Sequence, residues 1–476
     1  MRAVAAIDLG ATSGRVILGS LGHNELHLRH VARFPNTPVR TPDGIHWDVL
    51  SLYSAAMSGL GVASREEPEL VGAGVDSWAV DYALLRGGRM LGNPYHYRDD
   101  RTARGVESVH SRVSAAELFH RNGLQHLPFN TVFQLAAEAE DGMLDLADRL
   151  LLIPDLIGYW ATGRAIAELT NASTTGLVPV GSTDWDRELL DLLGLPSALL
   201  PELVPPGTHV GTVSPEVRAE FGIAHELGFS TVGSHDTASA VVGVPSAGDD
   251  SVYISCGTWS LVGTELPSPL ATEEARGAGF TNEGGVDGRT RFLKNVMGLW
   301  LLSESVRTWA KSGEQEDLEH LLRLAADAPV DVPTFDATDP SLLPPGDMPA
   351  RIEALLIRAG KRVPATRGEF VRSILQSLAD AYAATIQDIE RLTGRTIRTV
   401  HLVGGGAQNA LLCQLTADAV GVPVVAGPVE ATAIGNLLVQ ARTHGLVRGD
   451  LDALRAIVGF SFPPRAYAAR TRAHRH

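Results

Sequence analysis

Asp8-Leu-Gly-Ala-Thr-Ser-Gly-Arg15, set directly behind the apolar run Val4-Ala-Ala-Ile7, is the stretch on which the reading of this chain turns. An extended segment meets an acidic residue, passes through two glycines and two hydroxyl residues, and leaves extended again through Arg15-Val-Ile-Leu18. Glycines permit close backbone approach, so such a bend can aim N–H groups and the Thr12 and Ser13 hydroxyls at a polyphosphate. A carboxylate is a poor anion ligand. Beside a phosphate site, Asp8 makes sense as a ligand, through water, of the Mg²⁺ that accompanies ATP. Taken by itself the stretch also fits an ordinary hairpin with a glycine turn.

The segment Tyr253-Ile-Ser-Cys-Gly-Thr-Trp-Ser-Leu261 repeats this plan far downstream: an apolar run enters a Gly-Thr bend and leaves extended. Two hairpins of one design, too far apart for a solenoid repeat, predict two similar lobes. The boundary falls at Pro245-Ser-Ala-Gly-Asp-Asp250, which divides the chain into lobes 1–245 and 246–476. The opening reads as an antiparallel meander over 4–8, 15–19 and 26–34, followed by helices at 49–63 and 106–113 with a strand at 71–75 between them. A proline-rich loop over 332–350 wraps the second lobe. A helix over 370–392 ends at Gly394, and a short strand at 400–403 runs into Gly404-Gly-Gly406, which opens a helix closed by Gly421. The last helix, 431–444, carries Gly435, a small residue suited to close packing.

With 476 residues, 44% hydrophobic and 20% charged, the composition is that of a folded chain of two or three domains. A formal net charge of -15 argues against nucleic acid or an anionic membrane as the main partner. Lysine is confined to Lys294, Lys311 and Lys361, and no G-x-x-x-x-G-K-[ST] run exists, so any ATP is held without a P-loop. The two cysteines, Cys256 and Cys413, form no C-x-x-C and read as buried thiols of a reducing compartment. Without an apolar run long enough to span a membrane, a cytoplasmic enzyme is expected.

Ser234-His-Asp-Thr-Ala-Ser-Ala-Val241 places Asp236 directly ahead of a small apolar run that reads as a helix. A carboxylate there can accept the proton of a substrate hydroxyl as its oxygen attacks phosphorus. It can equally be a plain helix N-cap. Candidates for a sugar pocket are Asp76-Ser-Trp-Ala-Val-Asp81, Tyr97-Arg-Asp99, Leu127-Pro-Phe-Asn130 and Lys294-Asn295. Trp78 and Phe129 fit either a pocket wall or the core, and Arg98-Asp99 fits a surface ion pair. The His23, His27 and His30 cluster lacks metal-ligand spacing and fits an exposed strand face.

These residues resemble the FGGY family of carbohydrate kinases over nearly the whole chain. The likeness rests on Asp8–Arg15, Tyr97–Asp99, Leu127–Thr131, Pro154-Asp155, Thr170-Asn-Ala-Ser-Thr-Thr175 and Ser234–Ala240. It continues in Ser255–Ser260, Asn282-Glu-Gly-Gly285, Lys294–Trp300, Gly404–Asn409 and Ala426–Ala431. The resemblance implies an α/β, two-lobed actin-like (ribonuclease-H-type) ATPase fold, with a duplicated core and an interlobe cleft. It implies ATP-dependent phosphorylation of L-rhamnulose at its 1-hydroxyl, with Mg²⁺ as cofactor. The alternatives are another ketose, such as L-fuculose or xylulose, or a nucleotide-switched binding module of the actin kind. By the same resemblance Ala11, Thr12, Ser13, Gly14, Arg15, Thr258, Ser303 and Gly405 contact ATP. Ala79, His235, Asp236, Thr237 and Asn295 contact the sugar, with Asp236 as the proton acceptor. The implied partners are a ketose and ATP, with neither nucleic acid nor membrane, in a monomer or small homo-oligomer.

Overall fold

The computed structural model describes residues 2–22, 25–245, 248–311, 313 and 317–470. His23, the centre of the expected boundary at 246–247 and the Arg/His-rich tail 471–476 lie outside the described residues. The chain folds into two compact α/β units that are not contiguous in sequence. One comprises Met1–Ser246, Glu265–Phe292 and Ala431–Ser461, the other Ala247–Thr264, Leu293–Glu430 and Phe462–His476.

The first unit is built on β1 (Ala3–Leu9), β2 (Ser13–Leu21), β3 (Leu26–Pro35), β4 (Leu70–Ser77), β5 (His209–Thr212) and β6 (Gly228–Ser230), ordered β5-β6-β4-β1-β2-β3. Strand β1 is buried along its whole length, as an unbroken apolar run demands when both faces of a sheet are covered. Its alternate residues serve different layers. Ala3, Ala5, Ile7 and Leu9 share a core with Leu52, Ala56, Met57 and Leu60 of helix Val49–Glu66. Val4 and Ala6, with Ile17, pack on Ala433, Leu437 and Ala441 of helix Ala431–Thr443. Strand β3, at the edge, buries Leu26 and leaves its other residues half-buried or exposed. The expected meander is thus present, with the Asp8 bend between β1 and β2.

The second sheet has seven strands, β7 (Ser251–Cys256), β8 (Trp259–Leu266), β9 (Thr290–Met297), β10 (Thr399–Val403), β11 (Val424–Ala426), β12 (Arg465–Tyr467) and an edge strand Thr281–Gly284, ordered Thr281–Gly284, then β9-β8-β7-β10-β11-β12. Each sheet is led by an antiparallel hairpin, β1/β2 or β7/β8, whose first strand continues into two parallel neighbours. The orders β3-β2-β1-β4-β6 and β9-β8-β7-β10-β11 are therefore the same topology. The duplication expected from the two Gly-containing bends holds at the level of the whole sheet.

Helix Arg367–Thr393 starts where Thr366 accepts the Glu369 N–H at 3.2 Å and stops at Gly394, whose φ of 69° is left-handed. Three expectations need correction. Helix 106–113 runs instead over Thr102–His110. Gly404–Gly406 does not open the long helix directly: a 3-10 turn, Gly405–Gln408, intervenes, and Asn409 caps Ala410–Val420 by accepting the Leu412 N–H at 3.0 Å. Helix Ala431–Thr443 is not the last, because Leu451–Ser461 follows it, burying Leu451, Leu454, Ile457 and Val458.

Candidate active site

The Asp8 bend is held from below. Asn36 donates its side-chain amide to the Gly10 carbonyl at 2.9 Å and its backbone N–H to Thr12 at 3.1 Å, and Gly10 N–H closes on the Ser13 carbonyl at 3.0 Å. Gly14 lies against the Phe34 ring, where a Cβ would come within 2.2 Å of it. At the tip, Ala11 and Ser13 are half-buried, Thr12 is exposed, and no hydrogen bond from the Ala11 or Thr12 N–H is found among the described residues. The bend thus presents backbone donors outward, as an anion cradle requires.

Asp8 itself is 2% exposed and opposes Arg15 across the hairpin, whose guanidinium donates to Asp8 Oδ2 at 2.9 and 2.7 Å. On its other side Asp8 is in register with Asp76 of β4. Asp76 is fully buried. Burial first, then the Asp8 carboxylate, push its carboxyl well above the usual range, against the hydrogen bond it accepts from Asn436. Asp76 Oδ1 has no hydrogen-bond partner among the described residues. Asp236 also raises Asp76 through space, so these three carboxylates share one field. The sequence assigned Asp76 to the sugar pocket. The parallel pairing of β1 with β4 puts it beside Asp8 instead.

The segment carrying Asp236 is fixed at the end of β4. Ser77 N–H donates to the Ser234 carbonyl at 2.9 Å, and buried Glu168 accepts the Ser234 N–H at 3.0 Å and its hydroxyl at 2.7 Å. Glu168 also accepts from Thr170 and Asn171, yet burial outweighs these bonds and raises its carboxyl. Helix Asp236–Val242 follows. His235 occupies the N-cap position and Asp236 the first helical position, with no side-chain capping bond, so the N-cap reading of Asp236 does not hold. Its side chain keeps 33% exposure; Oδ1 accepts from Thr237 at 3.1 Å and lies 3.5 Å from His235 Nε2. A half-open carboxylate that caps nothing can receive a proton.

Ala79 sits in a bend between β4 and Asp81. The next residue, Val80, has a φ of 69°, a left-handed conformation that is strained for a β-branched side chain. Thr131 clamps the Val80 carbonyl at 2.7 Å. Asp81 accepts from Trp47 Nε1 at 2.6 Å, Trp78 Nε1 at 3.0 Å, Tyr97 N–H at 3.2 Å and Gln134 Nε2 at 2.9 Å. Burial raises its carboxyl to about 6 in spite of these four donors. Trp78 is accordingly a core residue, its ring 4.0 Å from that of Trp47, while Phe129 is partly buried beside Tyr97. Asp99 is buried and accepts the Ile45 and Arg101 N–H groups, a turn-bracing role.

In the second unit, Gly404–Gly406 lies directly on the strand that leads to Thr258. A Cβ on Gly406 would come within 2.3 Å of Cys256 Sγ, whereas one on Gly405 would meet nothing within 4 Å. Gly405 is therefore open backbone on a tightly packed floor. The carbonyls of Gly257 and Thr258 accept from Leu299 and Trp300 at the start of helix Trp300–Lys311, on which Ser303 is exposed. Asn295 lies on β9 and is half-buried. Both cysteines are buried, as expected, and burial pushes the Cys413 thiol up to about 12.

In the sequence Glu283 figures only within the Asn282–Gly285 likeness and Arg291 is not singled out, yet both stand in the Asp236 neighbourhood. Glu283 and the fully buried Arg291 pair at 3.1 Å, and Arg291 Nη2 donates to His235 Nδ1 at 3.1 Å. Among the described residues no group of three or more His, Cys, Asp or Glu is arranged to hold a metal ion directly, and no helix is long and apolar enough to cross a membrane.

Two family models match: the FGGY family of carbohydrate kinases, N-terminal domain, over residues 3–243, and its C-terminal domain over 252–444. The rhamnulokinase of Bacteroides thetaiotaomicron is 38% identical over 465 residues, covering 97% of this chain and 95% of the relative. That of Enterococcus faecalis is 40% identical over 472 residues, covering 98% and 94%. The fold is shared with the xylulose kinase of Lactobacillus acidophilus (TM-score 0.79, 16% identity, 99% of this chain and 94% of that one). It is shared also with the Plasmodium falciparum glycerol kinase (TM-score 0.77, 14% identity, 99% and 94%). With duplicated hairpin-led sheets, a glycine-containing bend in each leading hairpin, and kinship along almost its full length, this chain belongs to the FGGY family of carbohydrate kinases.

Proposed function

We propose that this chain transfers the γ-phosphoryl group of ATP to the 1-hydroxyl of L-rhamnulose, in the breakdown of L-rhamnose, with Asp236 as general base. The observation that carries the reading is Asp236: a half-exposed carboxylate on the first turn of a helix, spared from capping and set beside His235. The full-length kinship with proteins named rhamnulokinase supports the choice of sugar.

In this reading the amides and hydroxyls of Ala11–Gly14 and the Thr258 bend hold the phosphates, and Gly405 offers flat backbone to the nucleotide. Arg15 is oriented by Asp8. The Ala79 bend, His235, Thr237 and Asn295 hold the sugar, and Asp236 takes the proton of its primary hydroxyl as that oxygen attacks phosphorus. ATP chemistry of this family requires a divalent cation, and we assign Mg²⁺. The donor set fits a hard ion: Asp8 and Asp76 are adjacent carboxylates, and the Asp76 Oδ1 has no hydrogen-bond partner among the described residues. Mg²⁺ commonly keeps its waters and is bound through one or two carboxylates. When bound it neutralises charge on the β- and γ-phosphates.

An ADP-release assay run side by side on L-rhamnulose, L-fuculose and D-xylulose tests the substrate. The highest kcat/KM is expected for L-rhamnulose, and a higher value for another ketose would overturn that choice. Asp236→Asn should bind ATP normally and lose turnover by about a hundredfold or more. Near-normal turnover would remove Asp236 from the role of base.

A further inference from the structure

Glu168 and the Thr170–Thr175 segment that follows it are not among the reacting groups, yet they meet the Asp236 segment through one carboxylate. Glu168 is fully buried. Its Oε1 accepts the Thr170 N–H at 2.9 Å. Its Oε2 accepts the Asn171 N–H at 3.2 Å, the Thr170 hydroxyl at 2.6 Å, the Ser234 N–H at 3.0 Å and the Ser234 hydroxyl at 2.7 Å. The bonds from Thr170 and Asn171 cap the short helix Leu169–Ala172. Those from Ser234, 66 residues further along the chain, are a separate duty. Each oxygen receives at least one backbone N–H, a donor that cannot be reversed. A glutamine would turn its NH₂ toward one of those N–H groups whichever way it flipped, so the geometry selects a carboxylate.

The carboxylate stands on a fixed base. The Glu168 N–H donates to both oxygens of buried Asp155 at 3.3 and 3.4 Å, and Ala167–Glu168 pairs in parallel with Leu203–Val204. On the far side, Ser77 holds the Ser234 carbonyl at 2.9 Å, and the Ser239 hydroxyl holds that of Gly233 at 2.7 Å. The His235 carbonyl then starts the Asp236 helix, accepting the Ala238 N–H at 2.7 Å and the Ser239 N–H at 3.3 Å. All of these groups belong to one compact unit.

We infer that Glu168 is a positioning residue for phosphoryl transfer: acting through Ser234, it fixes the entry of the Asp236 helix and with it the direction of the Asp236 carboxylate. The inference rests on Asp236 being the base. A misplacement of about 1 Å at a reacting group can cost about a hundredfold in rate, so an anchor two residues away is felt in kcat.

The test is a double-mutant cycle in the full-length protein. Glu168→Gln should lower kcat by about tenfold or more with the KM for ATP unchanged, and should cost nothing further in an Asp236→Asn background. Equal losses in both backgrounds would overturn the inference, because a merely structural defect adds to the loss of the base. Thr170→Val is the comparison: it removes a hydroxyl bond to the same oxygen without touching Ser234, and kcat should stay near wild type. Ser234→Ala removes the corresponding bond on the Asp236 side and should lower kcat by about threefold. It carries the cycle if Glu168→Gln does not fold, and equal kcat for Ser234→Ala and Thr170→Val would refute the role. Hydrogen exchange without substrate reads the anchor independently. The Ala238 and Ser239 amides should exchange faster in the Glu168→Gln or Ser234→Ala protein, with the amides of β1 unchanged; unaltered exchange at Ala238 and Ser239 would sink the proposal. If Asp236→Asn keeps near-normal turnover, the reading of Asp236 as base fails, while the exchange data still decide whether Glu168 holds the first turn of that helix.

Discussion

At the scale of single residues, the site is a problem of keeping several carboxylates apart in function while they are close in space. Asp8 and Asp76 sit side by side on neighbouring strands, and Asp236 adds to the field at Asp76. Arg15 neutralises one oxygen of Asp8, and Asn436 donates to Asp76. The Asp76 Oδ1 is left without a hydrogen-bond partner among the described residues, and adjacent carboxylates of this kind are the donor set a hydrated divalent cation takes. Asp8→Asn removes charge from that face without touching the proposed base. The Mg²⁺ concentration for half-maximal rate should rise by about tenfold or more, with the ketose KM unchanged. A magnesium titration identical to wild type would separate Asp8 from the metal. The Asp8–Arg15 hairpin was legible in the sequence because glycine and hydroxyl residues mark a bend by their own backbone preferences. The role of Asp76 was not, because it depends on the pairing of two strands some sixty residues apart in the chain, as the alignment of Asp8 with Asp76 shows.

At the scale of elements, the helix that carries Asp236 is positioned by its neighbour. Helix Ala431–Thr443 crosses Asp236–Val242 at Gly435, where a Cβ would come within 1.8 Å of the Ser239 carbonyl oxygen; a Cβ on Gly243 would come within 2.3 Å of the Ala431 carbonyl oxygen. Backbone contacts this close cannot relax by a side-chain rotation. Gly435→Ala should therefore cost about 1–3 kcal/mol or more, read as a lower Tm, and should also lower kcat because the first turn of the Asp236 helix must shift. Gly277→Ala is the control: a Cβ there would meet nothing within 4 Å, so Tm and kcat should stay near wild type. Equal effects from the two substitutions would refute the close-packing argument. The sequence suggested that Gly435 marks a close approach, but not which helix it approaches. Glycine advertises permitted proximity, and only the fold supplies the partner. Val80 shows the opposite failure: its left-handed backbone has no glycine to announce it, and it is maintained by Thr131 and the Asp81 cluster. The helix Leu451–Ser461 was missed for a related reason. Its short apolar set begins only a few residues after the preceding helix ends, so periodicity alone did not resolve it as a separate element.

At the scale of the whole molecule, the same buried acids make stability depend on pH in a definite sense. Asp81 titrates at about 6 in the fold against 3.8 when solvated, chiefly because burial penalises its charge. A folded pKa above the unfolded one means that the native state binds the proton more tightly. The stabilisation is then fully present below pH 3.8 and is lost as pH rises through about 6. The shift corresponds to about 3 kcal/mol at most. Asp155 and Glu168 are raised by burial in the same direction and add to the Asp81 effect, whereas Glu283, held down chiefly by the Arg291 charge against its burial, opposes it. Asp81→Asn cannot ionise and puts an amide donor among groups that are themselves donors, so it should be less stable than wild type throughout. Its distinguishing signature is the slope. Between pH 4 and pH 7 the denaturation free energy of wild type should fall relative to that of Asp81→Asn by an amount approaching 3 kcal/mol. Because Asp81 gathers Trp47, Trp78, Tyr97 and Gln134 around the Ala79 bend, the pH at which its proton is lost should also mark a rise in the ketose KM, with the KM for ATP flat. Parallel stability curves for the two proteins would show that Asp81 is ordinarily ionised in the fold and that its four donors outweigh its burial.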